Sequence, residues 1–404
     1  MTLHHSAAAP RRRSLNRLIA ASFGAAISLC ALQSAQAFNG PSAIKIDGGP
    51  LGPLELSGGA DGYMYALSGT GNSTSGGLLG TDKSTGAEFM NGQIEVQKTS
   101  GLVQFTIQVG SNNSLTLGTK PMATSVQTFS TGPLYAGYIT LAPTKNFSIS
   151  VGQIGSLEGY ESGIDWNNAN VLTTDLFYVE NSQSRGVSAT YTMGPVSASV
   201  TFGDGFDTGV FNFLQGLVTY SFNDNNALSV FGATNLGHTG LLANTYGSAT
   251  TPYNQSTVGS YGANYINSTM IGGYYSYTHG NLNLVPEVQY VYAKPDQKVG
   301  ISKFTSNFGA ALFADYAFGK SPYSLGGWVE YFSSNGPGFW FLNPGAQGYG
   351  LSVTPTWQNK NLFVRGDLGL LHLTKISNNG STGYGANGTG RNQATFVVEA
   401  GVLF

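Results

Sequence analysis

Charge is scarce in this sequence. Only 9% of its 404 residues are Asp, Glu, Lys or Arg, against about 25% in an ordinary soluble domain. An exterior with so few charges needs a surrounding other than bulk water. Cysteine is nearly absent. Cys30 is the only one, so a structural disulfide and a thiolate metal site are both excluded. Beyond the N-terminal region no apolar run reaches the length of a spanning helix, and no stripe with a period of 3.6 recurs. Bases do not exceed acids, at 18 against 20, which gives nucleic-acid binding no support. Aromatic residues are plentiful, with 23 Phe and 22 Tyr, and they argue against disorder.

The N-terminus reads as a leader. "PRRRSLNR" is basic, "LIAASFGAAISLCAL" (Leu18 to Leu32) is apolar, and Ala35-Gln36-Ala37 offers small residues before Phe38. This is the order of a secretory signal peptide over 1–37, and the apolar part is too short to span a bilayer. Removing it takes away Arg11, Arg12, Arg13 and Arg17 and no acid, moving the formal charge from -2 to -6. Residues 38–55 are then expected as a short periplasmic segment.

From there to the C-terminus the chain alternates. In "LVQFTIQVG", Val103, Phe105, Ile107 and Val109 oppose Gln104, Thr106 and Gln108. In the terminal "QATFVVEAGVLF", Phe396, Val398, Ala400, Val402 and Phe404 share one face of an extended strand. Tight turns such as "TMGP", "FNDNN", "THGN" and "QNKN" alternate with long polar, Gly-rich connections. The pattern predicts an all-β, transmembrane antiparallel up-and-down β-barrel over 56–404. The count comes to about 16 strands. The stretch 258–279 is long enough for two, which leaves counts of 14 and 18 open. A closed barrel explains a chain that ends on a complete strand, because the last strand pairs with the first and leaves no edge. Phe404 then sits at the periplasmic interface. Pro286 and Pro355 fall inside expected strands, where each marks a bulge or a slip of register.

Parity assigns the faces. One face of every strand must meet lipid, so the other encloses the lumen. Glu95, Gln104, Glu287, Gln289, Asp315, Glu330, Arg365, Asp367 and Glu399 fall on the inner face. Leu217 and Phe313 share it, so the lumen is not uniformly polar. Acids dominate this set, and rings of carboxylates favour cations in a pore. A weakly cation-preferring diffusion channel follows. The competing reading is that these acids only keep the lumen wet, with Glu330 or Asp367 paired to Arg365.

The connection 155–183 is long enough to carry function. It holds Glu158, Glu161, Asp165, Asp175 and Glu180 together with Trp166, Phe177 and Tyr178. Two placements compete, a constriction folded into the pore and an extracellular flap. Enzyme signatures are absent: neither H-E-x-x-H nor G-x-S-x-G occurs. His238, His279 and His372 lie far apart in the sequence, so no metal or other cofactor is expected. An outward His372 paired with a serine would be the route to an outer-membrane phospholipase. A third class is an adhesion or anchoring barrel with a plugged lumen, presenting loops such as 237–257 and 376–390.

Two segments carry a more particular likeness. "NFSISVGQIGSLEGYES" (Asn146–Ser162) is followed by "SRGVSATYTMGPVSASVTFGDGFD" (Ser184–Asp207). The Gly159, Tyr160, Glu161 step and the later Gly186, Val187, Ala189, Tyr191 strand resemble the OmpL-like beta-barrel porin family, from about Gly58 onward. The terminal strand ending in Phe404 resembles those of Gram-negative outer-membrane proteins, in which the barrel-assembly machinery recognises this segment. The resemblance implies an outer-membrane pore for small hydrophilic solutes or ions, with membrane lipid around it and no catalytic residues. For 16-stranded porins it also implies a homotrimer as the family habit, and the residues leave the oligomer open. The strand prolines are a departure from the family.

Overall fold

The computed structural model describes residues 40–71, 77–240, 262–336, 345–376 and 383–404. The expected leader 1–37 lies outside them, as does most of the loop 237–257 and part of 376–390. Sixteen strands follow one another around a ring. They are β1 (Pro53–Leu67), β2 (Thr85–Lys98), β3 (Val103–Ser111), β4 (Leu134–Thr144), β5 (Phe147–Gly155), β6 (Gln183–Met193), β7 (Val196–Gly203) and β8 (Phe213–Asn223). The second half comprises β9 (Asn226–Asn235), β10 (Thr269–His279), β11 (Leu282–Ala293), β12 (Thr305–Ala317), β13 (Tyr323–Asn335), β14 (Gln347–Asn359), β15 (Leu362–Lys375) and β16 (Asn392–Leu403). Each pairs antiparallel with the next, and β16 pairs with β1 through Val397↔Tyr65, Glu399↔Tyr63 and Leu403↔Gly59. The closure runs to the last residue: Phe404 N–H donates to Gly58 O at 2.9 Å and Gly58 N–H to Phe404 O at 2.8 Å. A short flanking strand, Ile44–Asp47, folds back onto the start of β1. Within the connections lie helix α1 (Thr124–Thr131), the single helical turn α2 (Asp175–Tyr178) and helix α3 (Ala263–Ile266). The described part of the stretch 258–279 supplies one strand, Thr269–His279, with α3 before it, and the ring of sixteen sets aside the counts of 14 and 18.

The alternation explains the two faces. Ile139 is 62% exposed and Met193 61%, whereas Gln104 is 2% and Thr354 0% exposed. Leaving a large aliphatic side chain in water forgoes roughly 1.5–3 kcal/mol each. A band of such residues around the whole ring is stable only against hydrocarbon. Aromatic pairs mark both rims of the band. Tyr220–Phe222 at 4.9 Å and Tyr316–Phe318 at 5.3 Å sit near the tight turns, and Tyr331–Tyr349 at 5.1 Å near the long loops. The tight turns use local chemistry. Gly194 (φ 57) and Gly280 (φ 63) take the left-handed first position that a two-residue hairpin turn requires.

Neither proline shifts the register. Tyr274 pairs with Glu287 and Tyr277 with Leu284, and only the intervening pairs beside Pro286 are missing. The ladder likewise resumes in step on both sides of Pro355, from Val353↔Leu368 to Thr356↔Arg365. Both rings point outward and are exposed, and on their other side each residue keeps a partner, Leu312 and Leu325.

Candidate functional site

The segment between β5 and β6 does not stay at the rim. It crosses the lumen and docks on the opposite wall, β11 to β16. Asn170 Nδ2 donates to Ser352 Oγ at 2.9 Å and to Thr354 Oγ1 at 2.7 Å. Val171 N–H and Leu172 N–H both donate to Asp367 Oδ2 at 2.9 Å, and Ser352 Oγ–H donates to Asp367 Oδ1 at 2.6 Å. Trp328 Nε1–H donates to Leu172 O at 2.8 Å. At α2, Asp175 N–H donates to Glu330 Oε2 at 2.8 Å, Asn307 Nδ2 to Asp175 Oδ2 at 3.0 Å, and Gln289 Nε2 to Leu176 O at 2.6 Å. Irregular backbone at membrane depth must have its polar groups satisfied by protein or water, and inward side chains of the wall do this here.

The wall is also shaped for the segment. A Cβ on the inward Gly326 would lie 2.5 Å from Ala169 O, on Gly309 2.7 Å from Leu176, and on Gly369 2.5 Å from Leu117 and 2.6 Å from Leu172. Leu157, Val171, Leu172, Leu176 and Val179 pack with the inward Leu217, Phe313 and Trp328 into one buried cluster. The connection after β3 joins it, through a parallel pairing of Leu115–Thr116 with Leu172–Thr173. Between segment and wall remains a small recess lined by Tyr160, Glu161, Asn168, Asn170, Phe313, Asp315 and Trp328 among others.

Carboxylates gather in two places. At the first, Arg365 is fully buried and bridges Glu399 (Nη2 to Oε2, 2.6 Å) and Asp165, while its Nη1 donates to Asn168 O at 3.0 Å. Asn91 Nδ2 donates to Asp165, and Asn91 N–H to Asp61 Oδ1 at 2.8 Å. Oxygens of Asp61, Asp165 and Glu399 lie within 4.8 Å of one another. The Arg365 guanidinium occupies the cationic position among them, and this donor set therefore makes a poor metal cage. At the second, Glu158, Glu161, Asp175 and Glu180 of the crossing segment meet Glu287 and Glu330 of the wall. Glu158 Oε2 accepts Asn181 N–H at 2.8 Å, and Glu161 accepts Thr174 N–H at 3.2 Å. Burial pushes Glu158 up to about 8, against a weaker opposing pull from the Asn181 N–H. Burial also pushes Glu161, beside Thr174, up to about 8. Burial lifts Glu180 well above the usual range, and Glu287, Glu158 and Glu161 add to it. Asp175 is raised by burial, with Asn307 opposing.

The nine residues assigned by parity, Glu95, Gln104, Glu287, Gln289, Asp315, Glu330, Arg365, Asp367 and Glu399, all have inward positions on the wall. Glu95 and Asp315 are half-buried and the rest are buried. Arg365, expected beside Glu330 or Asp367, forms ion pairs with Asp165 and Glu399, and Asp367 accepts the Val171 and Leu172 N–H groups. The histidines are dispersed: His372 is exposed beside Asn392, His238 pairs with Asp296, and His279 stacks on Tyr277. Asp61, Asn91, Asn307, Trp328 and the notch glycines escaped the sequence reading. One signal was available: Leu157, Ile164, Val171, Leu172, Leu176 and Val179 give 155–183 more apolar residues than a water-washed flap needs.

A closed ring of antiparallel strands with an apolar outer band, a polar inner face and a loop folded across the lumen defines the porin class of outer-membrane β-barrel. Residues 53–404 match the family described as "Putative beta-barrel porin-2, OmpL-like", and the chain belongs to that family. No curated protein matches the sequence significantly. Among solved structures, the chain is similar to outer-membrane-expressed OmpT of Vibrio cholerae, with TM-score 0.57 and 12% identity over 90% of this chain and 100% of that one. It is also similar to an anion-selective porin from Comamonas acidovorans, with TM-score 0.56 and 11% identity over 87% and 99%. A Salmonella typhi OmpF complex with daunomycin gives TM-score 0.53 and 15% identity over 89% and 100%. At these identities the likeness establishes the fold, and with the family it places the protein in the outer membrane.

Proposed function

We propose that this protein is a non-catalytic diffusion channel for small hydrophilic solutes or ions, preferring cations, in which 155–183 forms the constriction. The observation that carries the reading is a ring closed all round, with polar side chains on its inner face, crossed by a segment that bonds to the far wall. Glu95 and Asp315 are inward and half-buried, and rings of acids favour cations. The Comamonas relative is named as anion-selective; the acid excess here supports the opposite sign. In a planar bilayer under a salt gradient, the reversal potential should have the cation-selective sign, and the anion-selective sign refutes the preference. The apolar packing of Leu157, Val171, Leu172 and Leu176 across the lumen favours a second reading, a plugged barrel that serves as anchor or adhesin. A barrel of that kind gives no conductance under any condition.

A further inference from the structure

We propose that the crossing segment is a proton-operated plug: its carboxyl groups hold it in the lumen when protonated and release it when ionised. The inference rests on the channel reading and adds its regulation.

The geometry carries it. Glu158 is 3% exposed, Asp175 0%, Glu180 9%, Glu287 2% and Glu330 4%. One carboxyl oxygen on each of Glu158, Asp175, Glu287 and Glu330 has no hydrogen-bond partner. The groups facing Glu180 are Glu287, Glu158 and Glu161, and those facing Glu330 are Asp175 and Glu161. Asp315 lines the same recess as Tyr160 and Glu161 and acts on Tyr160; the other titratable neighbours are tyrosines: Tyr160, with Tyr274 against it, Tyr178 beside Asp175, and Tyr384 beside Glu330. No lysine, arginine or histidine is among these neighbours, and the ion pairs of the described residues all lie elsewhere. Arg365, the buried cation of the lumen wall, is committed to Asp165 and Glu399. Ionised acids buried together without a counter-charge repel one another and forfeit their hydration. A protonated carboxyl gains a donor and loses its charge. The docked arrangement therefore suits the acid form, and a hydrated, displaced segment suits the carboxylate form.

The direction follows from linkage. Glu158 and Glu161 hold their protons to about 8 when docked, against 4.5 for an unperturbed glutamate. A group that binds its proton more tightly in the docked state favours docking fully below the lower value. That contribution is lost as pH rises toward the upper one. Docking thus weakens across this window, by up to ~10-fold per pH unit for each group that ionises. Several groups acting together make the opening steep.

The test is single-channel recording of the full chain at about pH 5 and about pH 8.5, alongside a chain lacking 160–180 and a Glu158→Gln/Glu161→Gln/Glu180→Gln variant. The expected result is an open probability at least ~10-fold higher at the alkaline value for the native chain, by the same linkage. The glutamine variant should keep the low open probability of the docked segment at both, and the deletion should conduct at both. Limited proteolysis of the intact native barrel reads the same change without the variants: cleavage within 155–183 should be faster at the alkaline pH. A native open probability that is flat or falls with pH, while the deletion conducts, overturns the plug and leaves the channel standing. Silence of native and deletion chains alike at every pH overturns the channel reading itself.

Discussion

Asp367 of β15 accepts the backbone N–H of Leu172 at 2.9 Å with the same oxygen that takes Val171 N–H. The bond ties the middle of the crossing segment to a wall strand 195 residues further along the chain. The Asp367→Ala change orphans both donors, at a cost of ~1–3 kcal/mol for each buried group. Protease cleavage within 155–183 on the intact barrel is expected to accelerate, with Asp367→Asn intermediate because it keeps one carbonyl acceptor. An unchanged cleavage rate for the alanine variant contradicts the tie.

Gly326 makes a second, steric test. Its missing Cβ leaves room for Ala169, whose carbonyl oxygen a side chain would meet at 2.5 Å. Gly326→Val should displace the segment and raise conductance. Gly366, where a Cβ meets nothing within 4 Å, is the control, and Gly366→Val should leave conductance as it is. Equal conductance for Gly326→Val and the native chain contradicts the notch.

Arg365 is expected to be costly to remove alone. Its loss leaves Asp165 and Glu399 buried without their cation, and breaking a buried pair typically costs ~3–5 kcal/mol. On a seminative gel, Arg365→Leu should convert from the folded to the unfolded band at a lower temperature. The Arg365→Leu/Glu399→Leu pair should recover part of the loss, because the second change removes one unpaired charge. If the double variant is no better than the single one, Glu399 is not the energetic partner.

Phe404 closes the ring by pairing with Gly58. Deleting it removes two backbone bonds and the terminal ring. The fraction of heat-modifiable barrel recovered in the outer membrane should fall, and Phe404→Tyr, which keeps ring and backbone, should restore most of it. Normal recovery after deletion removes the assembly role.

Much of this fold was legible because a strand's period of two is rigid. Once Ile94, Val288 and Val329 were placed against lipid, Glu95, Glu287 and Glu330 had to point inward. The prolines did not spoil the count, since each is exposed on the outer face and costs the ladder pairs on only one side. The path of 155–183 was not legible. A connection has no period to read, and its placement depends on partners such as Trp328, Ser352 and Asp367 that lie more than 150 residues away. For the same reason Arg365 was assigned neighbours from its own region of the wall. Its partner Asp165 lies 200 residues earlier and reaches it only across the lumen.

The most direct test of the account compares single-channel conductance of the native chain with that of a chain lacking 160–180, at neutral pH and in the same bilayer. The account predicts a native channel of small conductance and a deletion channel of clearly larger conductance. Equal conductance, or a native channel larger than the deletion, would contradict a segment that sets the aperture.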